Sequence, residues 1–409
     1  MLNTYLAVIG LLALVVTFIS KRIRSLPLSE PMLALAVGIL IGPQLLGFVD
    51  LDDPGSKTVL LQASRLLLAV SLMAIALRYP FSEYRKRVGR VALLLLVVMP
   101  GMAAISALLG GWLLGFPAAT AWLVGACVSP TDPVLASSVV TGESARSLVP
   151  ARLRQLLSGE SGANDGLAFP LVVLGIVLVL DEPLSKFAFE SLYGVLGAVA
   201  VGVVVGLAGS LGVNIAEREG DLERSVSLLF TVALALFALG VAKLANTDGI
   251  LTVFVAGLAY NATSNGQERA AENSIDEGVN RFVVLPLFTL FGVALPWELW
   301  ADMGWNVVLF TIGVLLLRRL PLIAALKRPL GLRWPGTLFY GWFGPIGVSA
   351  LFYLVFSHEE GVTDPRVFAA GSAVIAASVL AHGLSAATGR RWYSRHVGEE
   401  EEQPESVAK

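Results

Sequence analysis

Long apolar runs separated by short polar segments make up most of the chain. Most of them reach the roughly 20 residues that an α-helix needs to cross a bilayer, and the shorter ones suit tilted or internally packed helices. The pattern predicts an all-α polytopic membrane protein with about thirteen transmembrane helices. The runs lie near 4–20, 31–48, 58–78, 91–114, 117–140, 151–180, 187–213, 225–245, 248–262, 281–296, 304–325, 336–357 and 366–388.

The composition of the 409 residues supports this prediction, because 56% of them are hydrophobic and only 15% are charged. Soluble domains have about 25% charged residues, and no stretch of this chain resembles one. The single cysteine, Cys127, excludes an intramolecular disulfide and a cysteine-cluster metal site. We therefore expect a membrane protein that is not an enzyme and has neither a cofactor nor a nucleic-acid partner.

The basic residues between the runs set the predicted orientation. If thirteen helices cross the bilayer, nearly all of these residues fall on one side, and only Lys57, Lys186 and Arg366 fall on the other. Loops rich in positive charge stay in the cytoplasm. We predict a multi-pass protein of the cell membrane with its N-terminus outside and its C-terminus inside. Residues 1–398 then form one transmembrane unit, and residues 399–409 form an acidic cytoplasmic tail.

Two of the runs contain residues that break a helix. Pro130 and Pro133 interrupt the fifth run, and Gly344, Pro345 and Gly347 interrupt the twelfth. Freed backbone groups at membrane depth are tolerated where they are buried in protein or line a cavity. Runs one to six and eight to thirteen form two sets of opposite orientation, each with its broken helix fifth. This arrangement predicts two inverted six-helix repeats whose broken helices cross at a site in mid-membrane.

Two carboxylates lie within these apolar runs. Asp132 follows Thr131 in the interruption of the fifth run, and Asp165 lies in the middle of the sixth. An ionised side chain at the bilayer centre costs roughly 3 kcal/mol, and such residues usually line an ion path. At about 100° per residue, Ser158 and Ser161 share a narrow helical stripe with Asp165, as ion ligands or as packing residues. We predict that Thr131, Asp132 and Asp165 converge where the broken helices cross.

Three motifs together resemble the NhaP-type sodium/proton antiporters, and in detail the fungal plasma-membrane sodium and potassium/proton antiporters. They are Thr131-Asp132-Pro133-Val134-Leu135-Ala136, Glu160-Ser161-Gly162-Ala163-Asn164-Asp165-Gly166 and Gly341-Trp342-Phe343-Gly344-Pro345-Ile346-Gly347-Val348. The resemblance implies a thirteen-helix antiporter fold, a mobile six-helix core domain and a homodimer. We expect core elements around 91–181 and 304–389, and dimerisation elements in the remaining helices.

The resemblance also implies a role for each matching residue. Asp165, preceded by Asn164, would bind the cation and the proton in turn. Thr131 and Asp132 would lie at the unwound part of the fifth helix, and Ser161 would help to ligate the ion. Asp165, Ser161 and Thr131 thus form the expected alkali-ion site.

The chain departs from this pattern in two places. Many relatives have an arginine where this chain has Ile346, although the fungal-like group does not. Many also have an acidic residue late in the third helix, where this chain reads Ala-Ile-Ala-Leu-Arg over residues 74–78. This second departure leaves an ion contact from the third helix open.

Glu160 lies about 140° around the helix from Asp165 and needs a different partner. The resemblance implies a structural ion pair with a basic residue on the eleventh run. Arg318 and Arg319 lie at about the depth of Glu160, and Arg318 matches the arginine of the relatives better. We therefore predict a pair between Glu160 and Arg318. For Arg65, near mid-depth in the third run, the partner is an acid or a helix C-terminus.

A buried carboxylate such as Asp165 can be neutralised by a proton or by a dehydrated alkali ion, and the two states exclude each other. If only the neutralised site crosses between the faces of the membrane, the result is obligatory exchange. We predict electroneutral one-to-one antiport of protons with sodium, and leave potassium and lithium open. A monovalent cation channel and a membrane sensor with a degenerate transport site are the alternatives.

Overall fold

The structure is a computed structural model that describes residues 2–18, 29–49, 55–219, 224–263 and 283–397. Within these ranges every regular element is a helix, which confirms the all-α prediction. The predicted acidic tail, residues 399–409, lies outside the described residues.

Within the described ranges, each predicted apolar run overlaps one helix or a set of shorter helices separated by interruptions. The helices are α1 (Leu2–Phe18), α2 (Glu30–Ile41), α3 (Gly55–Arg78), α4 (Phe81–Leu114, with a π-helical segment at Leu94–Val98), α5 (Ala118–Cys127), α6 (Pro133–Val140), α7 (Glu143–Leu148), α8 (Ala151–Leu167), α9 (Phe169–Val179), α10 (Leu184–Glu219), α11 (Arg224–Leu244), α12 (Gly249–Thr263), α13 (Val283–Val293), α14 (Trp297–Leu317), α15 (Leu320–Ala325), α16 (Lys327–Leu330), α17 (Trp334–Trp342), α18 (Val348–Glu359) and α19 (Pro365–His396).

Several helices have the length and composition of membrane spans. Within the described ranges six helical segments are long and apolar enough to cross a bilayer, and further apolar helices are shorter. In the most apolar stretch of α10 only 33% of the residues are buried, and leucines and valines such as Leu196 and Val204 are exposed. Apolar surface of this extent is unfavourable in water and suits contact with lipid. The prediction of a multi-pass membrane protein is therefore confirmed.

The fifth run is interrupted between Cys127, the last residue of α5, and Pro133, the first residue of α6. Pro130 and Pro133 have no backbone N–H to donate, so an unbroken helix through both is disfavoured. Pro133 instead starts α6, where a missing N–H costs nothing, and Asp132 is the N-cap. The predicted break is present.

The twelfth run is interrupted between Trp342, which ends α17, and Val348, which begins α18. The two interruptions meet directly, because the backbone N–H of Asp132 donates to the carbonyl oxygen of Pro345 at 2.8 Å. A Cβ atom on Gly347 would overlap the Asp132 carboxylate, so the absence of a side chain permits this approach. The predicted meeting of the two broken helices is thus observed.

Helix α8, which carries Asp165, packs closely against α12 through a glycine. A Cβ atom on Gly166 would lie 2.6 Å from Cβ and 2.7 Å from Cα of Leu251. This is the backbone contact that small residues allow between membrane helices. It brings α12 beside the residue that follows Asp165.

Candidate ion-binding site

Asp165 lies at the meeting point of the broken helices and is completely buried. Within the described part of the chain, neither of its carboxylate oxygens has a hydrogen-bond partner. The Tyr353 hydroxyl donates to its backbone carbonyl, and the side chains of Asp132 and Ser349 lie close enough to interact with its carboxylate. Buried polar groups are nearly always hydrogen-bonded. A buried carboxylate with two free oxygens therefore marks a site that can bind a proton or a cation.

The predicted residues Thr131, Ser161 and Asn164 form one hydrogen-bonded cluster on the same helix as Asp165 and on the adjacent interruption. The Asn164 side-chain amide donates to Thr131 Oγ1 at 2.7 Å, and Thr131 Oγ1 lies 3.0 Å from Ser161 Oγ. Asn164 Oδ1 accepts the Thr131 backbone N–H at 3.3 Å. These contacts fix the unwound segment against α8. The three residues are thus brought together as the sequence predicts.

Asp132 caps both broken helices. Its Oδ1 atom accepts the backbone N–H groups of Val134 at 2.6 Å and Leu135 at 3.0 Å, at the start of α6. Its Oδ2 atom accepts the backbone N–H of Val348, at the start of α18. A negative charge at a helix N-terminus is favourable because the N-terminal end carries a partial positive charge. The carboxylate of Asp132 is therefore held by backbone groups.

Arg318 occupies the opposite ends of the same broken helices. Its Nη1 atom donates to the carbonyl oxygens of Val128, Ser129 at 3.1 Å and Pro130 at 3.3 Å, and its Nη2 atom donates to that of Gly344 at 2.6 Å. A cation is favourable at helix C-termini. The guanidinium group therefore satisfies carbonyls that the two interruptions leave free.

The predicted partner of Glu160 was wrong, because Glu160 pairs with Arg319 and not with Arg318. Arg319 donates to both carboxylate oxygens at 2.6 and 2.7 Å, and the Tyr340 hydroxyl donates to one of them. The two arginines are neighbours in the chain and so have similar depth, but consecutive residues of a helix point about 100° apart. Depth alone could not distinguish them.

Ser158 and Arg65 have partners away from the Asp165 carboxylate. Ser158 lies two turns before Asp165, and its hydroxyl accepts a hydrogen bond from Arg78 at 3.1 Å. Arg65 donates to the carbonyl oxygen of Leu239 at 3.5 Å, near the end of α11, and interacts with Asp248. Of the two alternatives predicted for Arg65, the acid is the better match, because Leu239 lies five residues before the last residue of α11.

Sequence reasoning missed two residues that contact Asp165 or face it, Ser349 and Tyr353. Both lie on α18 after the second interruption, four residues apart and hence on one helix face. Their position in the sequence could have indicated them, because both lie within two turns after the interruption that was predicted to reach the crossing.

The fold is that of an antiporter. It matches the structure of the sodium proton antiporter MjNhaP1 from Methanocaldococcus jannaschii with a TM-score of 0.76, over 97% of this chain and 100% of that one, at 18% identity. Residues 10–388 also match the model of the family described as sodium/hydrogen exchanger, transmembrane, and the chain belongs to that family. The resemblance seen in the motifs is thereby confirmed.

Individual relatives carry sodium or potassium in their names. The chain is 32% identical to Na(+)/H(+) antiporter 2 of Zygosaccharomyces rouxii, over 86% of this chain and 45% of the relative. It is 31% identical to the Na(+)/H(+) antiporter of Saccharomyces cerevisiae, over 87% and 38% respectively. The K(+)/H(+) antiporter NhaP2 of Shewanella oneidensis is 24% identical, over 95% and 67%. The chain spans less than half the length of these two fungal relatives.

Proposed function

We propose that this chain is a secondary active antiporter that exchanges a monovalent cation for a proton at Asp165. The observation that carries the proposal is the fully buried Asp165 carboxylate, whose oxygens have no hydrogen-bond partner among the described residues. Burial of an unpaired charge is strongly unfavourable. The group therefore gains most from binding a proton or a desolvated cation, and it cannot bind both at once.

The surrounding charges support a single exchanging group. Asp132 is held by three backbone N–H groups, and Glu160 is held by Arg319. In this proposal neither of them exchanges its proton during the cycle. One proton then exchanges for one monovalent cation, and the cycle moves no net charge.

The ligands of the ion, in this proposal, come from Asp165 and the neighbouring cluster of Thr131, Ser161 and Asn164, with Asp132 holding the helix ends in place. Sodium and potassium both fit oxygen ligands. The names of the relatives support either ion. We therefore propose sodium or potassium as the cargo, with lithium as a further candidate.

The architecture proposed for transport follows the antiporter fold. Thirteen spans form two inverted six-helix repeats, with the N-terminus outside and the C-terminus in the cytoplasm. Core elements around 91–181 and 304–389 carry the site, and the remaining helices form a homodimer in the lipid bilayer. Movement of the core exposes Asp165 to each side in turn.

The test is proton movement in liposomes that contain the purified protein and an internal pH-sensitive dye. We expect lithium, sodium, potassium or rubidium outside to drive saturable proton exchange, and Asp165→Asn to abolish it. Asp302→Asn, at an exposed position in α14, is the matched control and should keep the parent rate. Exchange by Asp165→Asn would refute the assignment, and cation flux without counter-moving protons would indicate a channel.

A further inference from the structure

Ser349 is a buried hydroxyl that the proposed site has not yet used. It is fully buried in the first turn of α18, and its Oγ atom has no hydrogen-bond partner within the described ranges. Tyr353, one helical turn later, donates to the backbone carbonyl of Asp165. Residues four apart lie on the same helix face, and the Ser349 side chain lies close enough to the Asp165 carboxylate to interact with it.

The local backbone around Ser349 differs from that around a serine inside a continuous helix. A serine inside a helix usually donates to a carbonyl three or four residues earlier. Ser357 does so at 2.9 Å to Leu354 on the same helix. For Ser349 the equivalent carbonyls lie in the interruption before α18, and that of Pro345 already accepts the backbone N–H of Asp132. Among the described residues, Ser349 Oγ has no hydrogen-bond partner, and it lies beside the Asp165 carboxylate, which has none either.

The predicted hydroxyl ligands differ from Ser349 in this respect. Thr131 Oγ1 already contacts both the Asn164 amide and Ser161 Oγ. The hydroxyls of Thr131 and Ser161 therefore already make contacts that hold the unwound segment against α8. Ser349 has its full capacity available, and it comes from the other broken helix.

We propose that Ser349 Oγ is a direct ligand of the transported cation, together with the carboxylate of Asp165. This inference rests on the proposed function. A hydroxyl is a neutral, hard oxygen donor, so it adds affinity for an alkali ion without changing the charge of the site. In the proton-bound state the protonated Asp165 carboxyl donates its hydrogen to Ser349 Oγ. Both bound states thus satisfy both side chains, and each links α8 to α18.

Three substitutions separate a ligand from a packing residue. Ser349→Ala removes the oxygen, Ser349→Thr keeps it, and Ser349→Cys replaces it with a sulfur in nearly the same volume. Sulfur prefers soft ions, so Ser349→Cys should favour thallous ion over sodium. Ser357→Ala is the matched control, because that buried hydroxyl lies on the same helix and donates to the backbone carbonyl of Leu354.

The measurements are the half-saturating sodium concentration for exchange and the sodium-dependent rise in melting temperature of the detergent-solubilised protein. We expect Ser349→Ala to raise the half-saturating concentration about tenfold, as for a lost bond to a charged group, with little change in maximal rate. Ser349→Thr should restore it in part. Ser349→Cys should increase the thallium-to-sodium preference several-fold above that of Ser357→Ala.

The outcomes for the ligand and for the function differ. If the parent binds and exchanges sodium while Ser349→Ala and Ser349→Cys keep its affinity and ion preference, the ligand assignment is overturned and the function stands. If Asp165→Asn still exchanges and still gains stability from sodium, the proposed function fails. In that case Ser349 can no longer be a partner of an ion held by Asp165, and the ligand proposal fails with it.

Discussion

A single carboxylate, that of Asp132, accepts the backbone N–H of Val348 and so joins the start of α18 to the start of α6. The two bonded residues are 216 positions apart in the chain. The bond fixes the relative position of the two helices at the point where both are unwound. Asp132 is therefore a structural centre of the site, whether or not it contacts the ion.

The first prediction concerns this double cap. Replacement of an N-cap by alanine costs about 0.5–2 kcal/mol, and Asp132→Ala removes the acceptor of two helix ends at once. Asp132→Asn keeps one carbonyl oxygen as an acceptor. We expect melting temperature in detergent to fall from the parent to Asp132→Asn and further to Asp132→Ala.

Asp364→Ala is the control for this experiment, because Asp364 caps one helix, α19, at a partly exposed position. Asp364→Ala should lower the melting temperature less than Asp132→Ala does. Equal losses in the two alanine variants would contradict a double cap.

The second prediction concerns the pair of Glu160 and Arg319, whose side chains are only 1% and 3% exposed. Removal of one partner leaves a buried charge and costs about 3–5 kcal/mol. We expect Glu160→Gln to lower the melting temperature strongly, and Arg319→Met in the same chain to recover part of that loss. The measurement is a double-mutant cycle on thermal unfolding.

The matched cycle uses Arg318→Met. Arg318 donates to backbone carbonyls and not to Glu160. The stability lost in Arg318→Met should therefore add to the stability lost in Glu160→Gln. The opposite result would support a pair between Glu160 and Arg318. In that case Arg318→Met would recover part of the stability lost in Glu160→Gln, and the losses of Arg319→Met and Glu160→Gln would add.

The third prediction compares two glycines of α8. A Cβ atom on Gly166 would meet the backbone of Leu251, with its N atom at 2.8 Å, whereas a Cβ on Gly159 would lie 3.5 Å from its nearest neighbours in Tyr84 and Val91. Backbone cannot yield, and overpacking costs about 1–3 kcal/mol. Gly166→Ala should therefore lower stability and slow exchange.

Gly159→Ala should be neutral or stabilising, because alanine favours a helix over glycine by about 1 kcal/mol. The measurement is the melting temperature of each variant compared with that of the parent protein. If Gly166→Ala were as stable as Gly159→Ala, the close contact between α8 and α12 would be refuted.

The fourth prediction follows from the single exchanging carboxylate. If one proton exchanges for one monovalent cation, as proposed, an imposed membrane potential should leave the exchange rate unchanged. The measurement is dye-reported exchange in liposomes with a potassium gradient, with and without valinomycin, and with sodium or lithium as the test ion. A strong acceleration by an inside-negative or inside-positive potential would show that a second group cycles its proton.

The sequence was sufficient for features that depend on local chemistry. Pro130 and Pro133 disfavour a continuous helix wherever they occur, and the break between α5 and α6 is where they place it. The burial of Asp165 followed from the apolar run around it. The cluster of Thr131, Ser161 and Asn164 followed once the two motifs were placed at one crossing.

Features that depend on distant backbone could not be predicted. The choice between Arg318 and Arg319 depends on which side chain meets Glu160 and which meets the carbonyls of the two interruptions. The position of Ser349 beside Asp165 depends on the meeting of the two interruptions, where the backbone N–H of Asp132 donates to the carbonyl oxygen of Pro345. Neither relationship leaves a periodic or compositional trace in the sequence.

The placement of Arg318 and Asp132 has a consequence for how such a protein can evolve. Arg318 neutralises the carbonyl ends of the two interruptions and Asp132 neutralises their N–H ends, so the framework is balanced before any cargo arrives. Selection for a different ion can then act on uncharged neighbours, such as the hydroxyl of Ser349, without disturbing the helix ends. Related proteins that transport different ions can therefore keep the same charged residues at the helix ends and differ in the size and hardness of a few neutral side chains.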